Sequence, residues 1–400
     1  MTRYNFDKIT NRKGTNCLKY DFAVERGKPA DVLPLWVADM DFPVSEEITK
    51  SLHAAVEHGI YGYSQPKDAY YNAVMNWMER NHNWKTEREW IVKTPGVVFA
   101  LGAAVKAFTD PGDAILIQNP VYYPFTNIIR DNDRRVVDNT LIYEITAGQS
   151  GDNGYRIDFE DFERKIEQEH IKLFILCNPH NPVGRVWTAE ELQKLGEICL
   201  RHHVIVVSDE IHNDFVYPGY EHTVFATVDP RFAEFTVTCT APSKTFNLAG
   251  LQISNIFIPN EKLRKAFQTE IDKTGYDEPN ALGIVACEAA YRAGEDWLDQ
   301  LRAYLLKNLN FLRNFLQEKI PQIHLVEPEG TYLVWLDCSE LGITGKELDQ
   351  FIVDKAGLWL DGGSMFGPSG AAFQRVNIAC PQATLELALN KLKAAVDNLE

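Results

Sequence analysis

Lys244 stands in the stretch Thr240-Ala241-Pro242-Ser243-Lys244-Thr245-Phe246-Asn247-Leu248-Ala249-Gly250-Leu251, directly after the strand-like run Phe235-Thr236-Val237-Thr238-Cys239-Thr240. Its neighbours are small, turn-forming or apolar, with no acid within several positions. A lysine held at a strand end in a pocket is partly desolvated. That disfavours the ammonium form, lowers the pKa and makes the amine a usable nucleophile toward an aldehyde. On this stretch alone, a Schiff-base lysine and a plain loop lysine beside a turn fit equally well.

Other strand ends supply the rest of a set, since ligands of open α/β sheets bind beyond the carboxyl ends of the strands. Pro95-Gly96-Val97-Val98 opens a helix, and free amides at a helix start suit a phosphate. Pro120-Val121-Tyr122-Tyr123-Pro124 places two aromatics just past a strand, where a flat ring could stack. Asn178-Pro179-His180-Asn181-Pro182-Val183-Gly184 builds a turn from two Asn-Pro pairs, and an asparagine there can offer its amide to a phenolic oxygen. Val207-Ser208-Asp209-Glu210-Ile211-His212 carries an acid straight off an apolar strand. A buried carboxylate needs a cationic or donor partner, and a protonated ring nitrogen would serve. Each motif has a plain alternative: a helix start that binds nothing, packed tyrosines, ordinary turn chemistry, an N-cap at Asp209. Together they give a phosphate cradle, a stacking aromatic, a donor to a phenolate, an acid for a pyridine nitrogen and a lysine for an aldehyde, the recognition set for pyridoxal phosphate.

The elements that must position these residues alternate along the chain. Apolar runs at 114–117, 173–177, 204–207, 235–240 and 253–258 read as strands covered on both faces, with helices between them, including 46 onward, 68–81 and 97–108. Residues 282–317 read as helical, with a long connecting helix. Strands follow at 332–336 and 375–379, and helices at about 344–355 and 384–399. The expected fold class is α/β: a large α/β/α domain over 46–281 with a mostly parallel sheet, plus a smaller α+β domain from 282–400 with the arm 1–45 packed against it.

Composition narrows the partners. The chain has 400 residues, 45% of them hydrophobic, enough for a sizeable core. A net charge of −16 disfavours nucleic acid and anionic membrane as partners. No run of about 20 apolar residues is present, as a membrane-spanning helix would need. The N-terminus shows no basic segment followed by an apolar one, so the cytoplasm is the expected compartment. The seven cysteines are scattered without a CxxC pair, which argues for structural thiols and against a metal site or disulfide framework.

These residues resemble the fold-type I pyridoxal-phosphate enzymes, the aspartate aminotransferase superfamily (class I/II), over nearly the whole chain. More narrowly they resemble the MalY/PatB branch, the cystathionine β-lyase-like C–S lyases. The likeness rests on Trp36-Val37-Ala38-Asp39-Met40-Asp41-Phe42, Tyr61-Gly62-Tyr63-Ser64, Asn178 to Gly184, Ser208 to His212, Ser243 to Gln252 and Arg375-Val376-Asn377-Ile378-Ala379-Cys380-Pro381. It implies that Lys244 forms the internal aldimine and acts as the Cα base. By the same likeness Asp209 pairs with the pyridine nitrogen, Asn181 faces the phenolic oxygen, Tyr122 stacks on or beside the ring, and Arg375 binds the substrate α-carboxylate. Gly96, Val97, Val98 and Ser243 would hold the phosphate, together with Tyr63 from a second subunit of a homodimer. His212 stands where aminotransferases usually have a tyrosine. Tyr123 is a candidate to assist the leaving sulfur, and Trp36 to wall the substrate pocket or pack in the core. Two departures matter: Gln252 replaces a common phosphate-binding arginine, which favours the lyase branch over transamination, and Ala241 replaces a common serine. The expected activity is α,β-elimination of L-cystathionine or related S-substituted L-cysteines. The alternatives are a class I/II aminotransferase and a regulatory or binding protein that keeps the fold.

Overall fold

The computed structural model describes residues 4–144 and 153–399, so the first residues of the expected arm and Glu400 lie outside the described residues. Seven strands form the central sheet: β1 (Ile91–Thr94), β2 (Ala114–Ile117), β3 (Arg135–Asp138), β4 (Leu173–Cys177), β5 (Ile205–Asp209), β6 (Thr236–Thr240) and β7 (Ser254–Phe257). Their spatial order is β1-β7-β6-β5-β4-β2-β3. Only β7 runs antiparallel to its neighbours; the other six strands share one direction. Every residue of β2, β4, β6 and β7 is buried; β2 and β4 are the unbroken apolar runs expected of strands sandwiched by helices, while β6 and β7 also bury Thr236, Thr238, Thr240, Ser254 and Asn255.

Some strands have no counterpart in the sequence reading: His324–Val326 and Asp361–Gly362 in the second sheet, and β3 in the central one. Arg135-Val136-Val137-Asp138 shows no long apolar run and was not anticipated. It is an edge strand, where one side meets solvent and the burial is mixed.

A second sheet joins His324–Val326, Leu333–Asp337, Phe373–Asn377 and Asp361–Gly362 in that spatial order. The arm packs beside it, since Leu33–Pro34 pairs in parallel with Leu358–Trp359. The expected helical region 282–317 is two helices, Ala281–Ala293 and Glu295–Lys319, broken at Gly294. A Cβ at Gly294 would stand 2.4 Å from the Phe246 ring, so only glycine admits that ring, which anchors the lysine loop. The helix expected at 344–355 is a short α segment, Lys346–Gln350, continued by a π-helical turn, Phe351–Lys355. Among the described residues no helix is long and apolar enough to cross a membrane.

Candidate active site

Because β1, β2, β4, β5 and β6 are co-directional, the segments after their carboxyl ends meet on one side of the sheet. They enclose a cleft of about 180 Å³ lined by Gly96, Val97, Val98, Tyr122, Asn181, Asp209, His212, Ser243 and Lys244, together with Ala38, Cys177 and Ile211. A larger cleft of about 410 Å³ beside Tyr217 and Leu305 is mostly apolar and holds neither the lysine nor the acid.

Lys244 sits on the one-turn helix Pro242–Thr245, opened by proline where the missing N–H costs nothing. Its Nζ donates to the Ala38 carbonyl at 2.9 Å. Burial, with the Arg375 charge, lowers its pKa to about 8, against the pull of Asp39 and Asp209. Thr245 next door donates to Asp214 at 2.6 Å, and Phe246 is fully buried, so the turn is held from behind.

Asp209 ends β5 and lies in register between Cys177 and Cys239 of the flanking strands. No helix starts there, so it is not an N-cap. Its Oδ1 accepts from the Ile211 amide at 3.2 Å, and burial raises its carboxyl to about 7. A desolvated acid in this state is completed by a cationic N–H.

Asn181 accepts at Oδ1 from Arg375 Nη1 at 2.9 Å, which leaves its NH₂ for the cleft. His212 is buried, with its pKa lowered by burial and by the Lys244 and Arg375 charges, and its Nδ1 has no protein partner. Its ring meets Tyr332 edge-on with centroids 5.8 Å apart. The Tyr122 hydroxyl is pushed up by burial, with the adjacent Tyr123 adding to it. Tyr123 flanks Tyr122 at 5.5 Å between centroids, and its hydroxyl is raised by burial and by Asp361.

The helix Val97–Phe108 begins at Gly96, and a Cβ built on Gly96 meets nothing within 4 Å. The absent side chain leaves open space in front of the first amides. A cradle at a helix start that a Cβ would fill, an imidazole nitrogen without a protein partner and a buried acid together fit pyridoxal phosphate.

Three sequence-selected residues lie elsewhere. Tyr63 is 95% exposed and away from this chain's own cleft. Trp36 buries its indole in a stack on Trp359, 4.4 Å between centroids, and offers the site only its carbonyl, which Arg375 Nη2 contacts at 2.9 Å. Gln252 is exposed, in the left-handed region at φ 51°.

Sequence reasoning did not single out the way segment 36–42 is tied to the site. Lys244 and Tyr332 both donate to the Ala38 carbonyl, Asn377 donates to the Val37 and Asp39 carbonyls, and Asn247 donates to those of Met40 and Phe42. Outward of the segment, Arg12 and Lys19 pair with Asp39 and Asp41. Backbone carbonyls carry no sequence signal. The asparagines in Phe246-Asn247-Leu248 and Val376-Asn377-Ile378, polar within apolar runs, were the available clue.

A family model described as aminotransferase class I and II matches residues 30–392. The chain is 45% identical to cystathionine beta-lyase PatB of Bacillus subtilis over 98% of its length and all of that protein's. It is 31% identical to protein MalY of Escherichia coli, covering 96% of each chain. Among solved structures, cystalysin from Treponema denticola, which contains pyridoxal 5'-phosphate, superposes with a TM-score of 0.94 at 38% identity, over 99% of this chain and 100% of that one. The pyridoxal-phosphate-bound C-S lyase from Staphylococcus hominis superposes with a TM-score of 0.90 at 35% identity, over 98% of each.

Proposed function

From the chain's membership of the class I and II aminotransferase family, within its PatB/MalY branch of pyridoxal-phosphate-dependent enzymes, we propose a carbon-sulfur β-lyase. It performs α,β-elimination on L-cystathionine or related S-substituted L-cysteines, releasing thiol, pyruvate and ammonia. The observation that carries this reading is one cleft holding a desolvated lysine, a buried acid and an arginine-tethered asparagine.

Bound there, pyridoxal phosphate supplies an aldehyde that captures an amine and a ring that withdraws electrons from Cα. Asp209 would keep a proton at the pyridine nitrogen. The Asn181 NH₂ would face the phenolic oxygen, and Tyr122 the ring. The Val97 and Val98 amides, Ser243, and Tyr63 of a second copy would hold the phosphate, which makes the active unit a homodimer. His212, neutral at ordinary pH, would offer its orphan nitrogen as a hydrogen-bond partner without adding charge. Arg375 would grip the substrate α-carboxylate. Lys244, with its pKa near neutrality, would take the Cα proton. Tyr123 is the candidate for placing the leaving sulfur or proton delivery to it. Residues 46–281 would form the cofactor-binding domain, and 1–45 and 282–400 the N-terminal arm and small C-terminal domain.

The relatives' own names favour elimination over transamination, and the absence of arginine at Gln252 agrees. The test is incubation with L-cystathionine and S-substituted cysteines, scored for pyruvate and free thiol. Release of neither, alongside oxo-acid formation from other amino acids, would select the aminotransferase reading.

A further inference from the structure

Arg375 is engaged by three groups of this chain. Its Nη2 donates to the Trp36 carbonyl at 2.9 Å and is also paired with Asp361 Oδ2, while Nη1 serves Asn181. Asp361 is placed by register: Asp361–Gly362 and Phe373–Asn377 are antiparallel neighbours, with Asp361 directly opposite Arg375. Directly opposite side chains on such a pair stand side by side. Both residues are buried, and Asp361 also acts electrostatically on Tyr122 and Tyr123.

A guanidinium has five N–H groups, one on Nε and two on each Nη. A carboxylate can grip it with two prongs along only two edges, Nε with Nη2 or Nη1 with Nη2. Both edges use Nη2, whose two hydrogens are already committed. What remains is the Nε–H, which has no partner, and one hydrogen on Nη1. These do not share an edge. The arginine therefore offers no two-pronged site while Asp361 stays paired, yet the buried orphan Nε marks the edge that opens once Nη2 is released.

Resting on Arg375 as the carboxylate-binding residue, we propose that Asp361 occupies that site in the substrate-free enzyme and yields it to the substrate's α-carboxylate. Binding is then an exchange of one carboxylate for another. Asp361 is a positioning residue that keeps the buried arginine compensated and aimed, and it sets how tightly α-carboxylates bind. Burial raises the Asp361 carboxyl although Arg375 pulls it down, so its ionised form is incompletely compensated, consistent with a partner that can be displaced.

The test uses the holoenzyme and two amines that cannot undergo elimination: L-alanine, which has a carboxylate and no leaving group, and ethylamine, which lacks the carboxylate. Binding is read from the cofactor absorption spectrum. Asp361→Asn keeps an oxygen for Arg375 without the charge. It is expected to tighten L-alanine binding about fivefold, to leave ethylamine binding unchanged, and to act on KM of the elimination substrate rather than on kcat. Unchanged or weakened alanine binding in a folded Asp361→Asn protein overturns the exchange. If Asp361→Asn does not fold, Asp361→Ser carries the same expectation. If neither folds, the carboxylate belongs to the fold and is not displaced, which also overturns it. Arg375→Lys separates the underlying reading: it is expected to lose alanine affinity and keep that for ethylamine, and retained alanine affinity there rejects Arg375 as the carboxylate residue.

Discussion

Asn181 Oδ1 and Arg375 Nη1 are joined by a 2.9 Å hydrogen bond between residues 194 positions apart. The bond fixes which way the amide points, because the cation must face the oxygen. The asparagine NH₂ is thereby turned to the cleft, and the group that would contact the cofactor's phenolic oxygen is coupled to the one that would hold the substrate. Asn181→Asp keeps the arginine partner and replaces the donor by a negative charge. Turnover is expected to fall about a hundredfold, as for loss of one preorganised donor, with the pH-dependent spectral transition of the bound cofactor moved upward. A spectral titration checks this, and an unmoved transition would remove Asn181 from the phenolic oxygen.

Lys244→Ala is expected to abolish the lysine-linked absorption of the cofactor and to lower turnover at least a thousandfold, since nucleophile and base are lost together. Pyruvate release with a substrate panel measures it. A binding-only protein would keep its function in this variant.

In the cofactor-free protein the Lys244 amine, lowered from 10.5 to about 8, is expected to acetylate with a midpoint near pH 8, read by mass spectrometry. Below that pH the lysine is charged folded and unfolded, and burying the charge costs stability in full. Between pH 8 and 10.5 the folded form sheds its proton first, so this group's contribution to stability rises with pH. A midpoint at the ordinary lysine value would mean that the amine is solvated.

Gly96→Val tests the phosphate cradle. The backbone at Gly96 is extended, so valine adds no strain there, and its side chain fills the space before the helix amides. Cofactor affinity is expected to fall at least tenfold, the equivalent of about 1.4 kcal/mol, with the melting temperature of the cofactor-free protein unchanged. A lower melting temperature with intact affinity would contradict the assignment.

Tyr63, exposed on this chain, gives a test of shared sites. Tyr63→Ala and Lys244→Ala proteins, each impaired alone, are expected to regain part of the activity after unfolding and refolding together, because a hybrid dimer holds one site with both native residues. No recovery, despite hybrids seen by native mass spectrometry, would place Tyr63 outside the neighbour's site.

Much of the fold was legible because its strands are covered on both faces. Such strands are mostly apolar, and the runs at Ala114–Ile117 and Leu173–Cys177 matched residue for residue. Edge strand Arg135–Asp138 lacks that constraint and left no comparable trace. The break at Gly294 was hidden because its cause, the Phe246 ring, is distant in sequence. In the site, Lys244, Asp209 and Asn181 stood out as polar groups at the ends of apolar runs. Asp361, in Leu360-Asp361-Gly362-Gly363, carries no local sign of its role; only the register opposite Arg375 reveals its pairing. Trp36 shows the converse, a conspicuous residue whose ring packs away on Trp359 while its carbonyl reaches the arginine.

The sequence by itself determined the chemical inventory and its order along an alternating α/β chain, because burial on two faces and the chemistry of strand-end residues are local requirements. The tertiary structure alone decided that Lys244 hangs from the Ala38 carbonyl, that Asn181 is turned by Arg375, and that Arg375 already holds a carboxylate in Asp361. Those contacts depend on strand direction and register, which bring distant segments to one end of the sheet and are encoded in no single stretch of the chain.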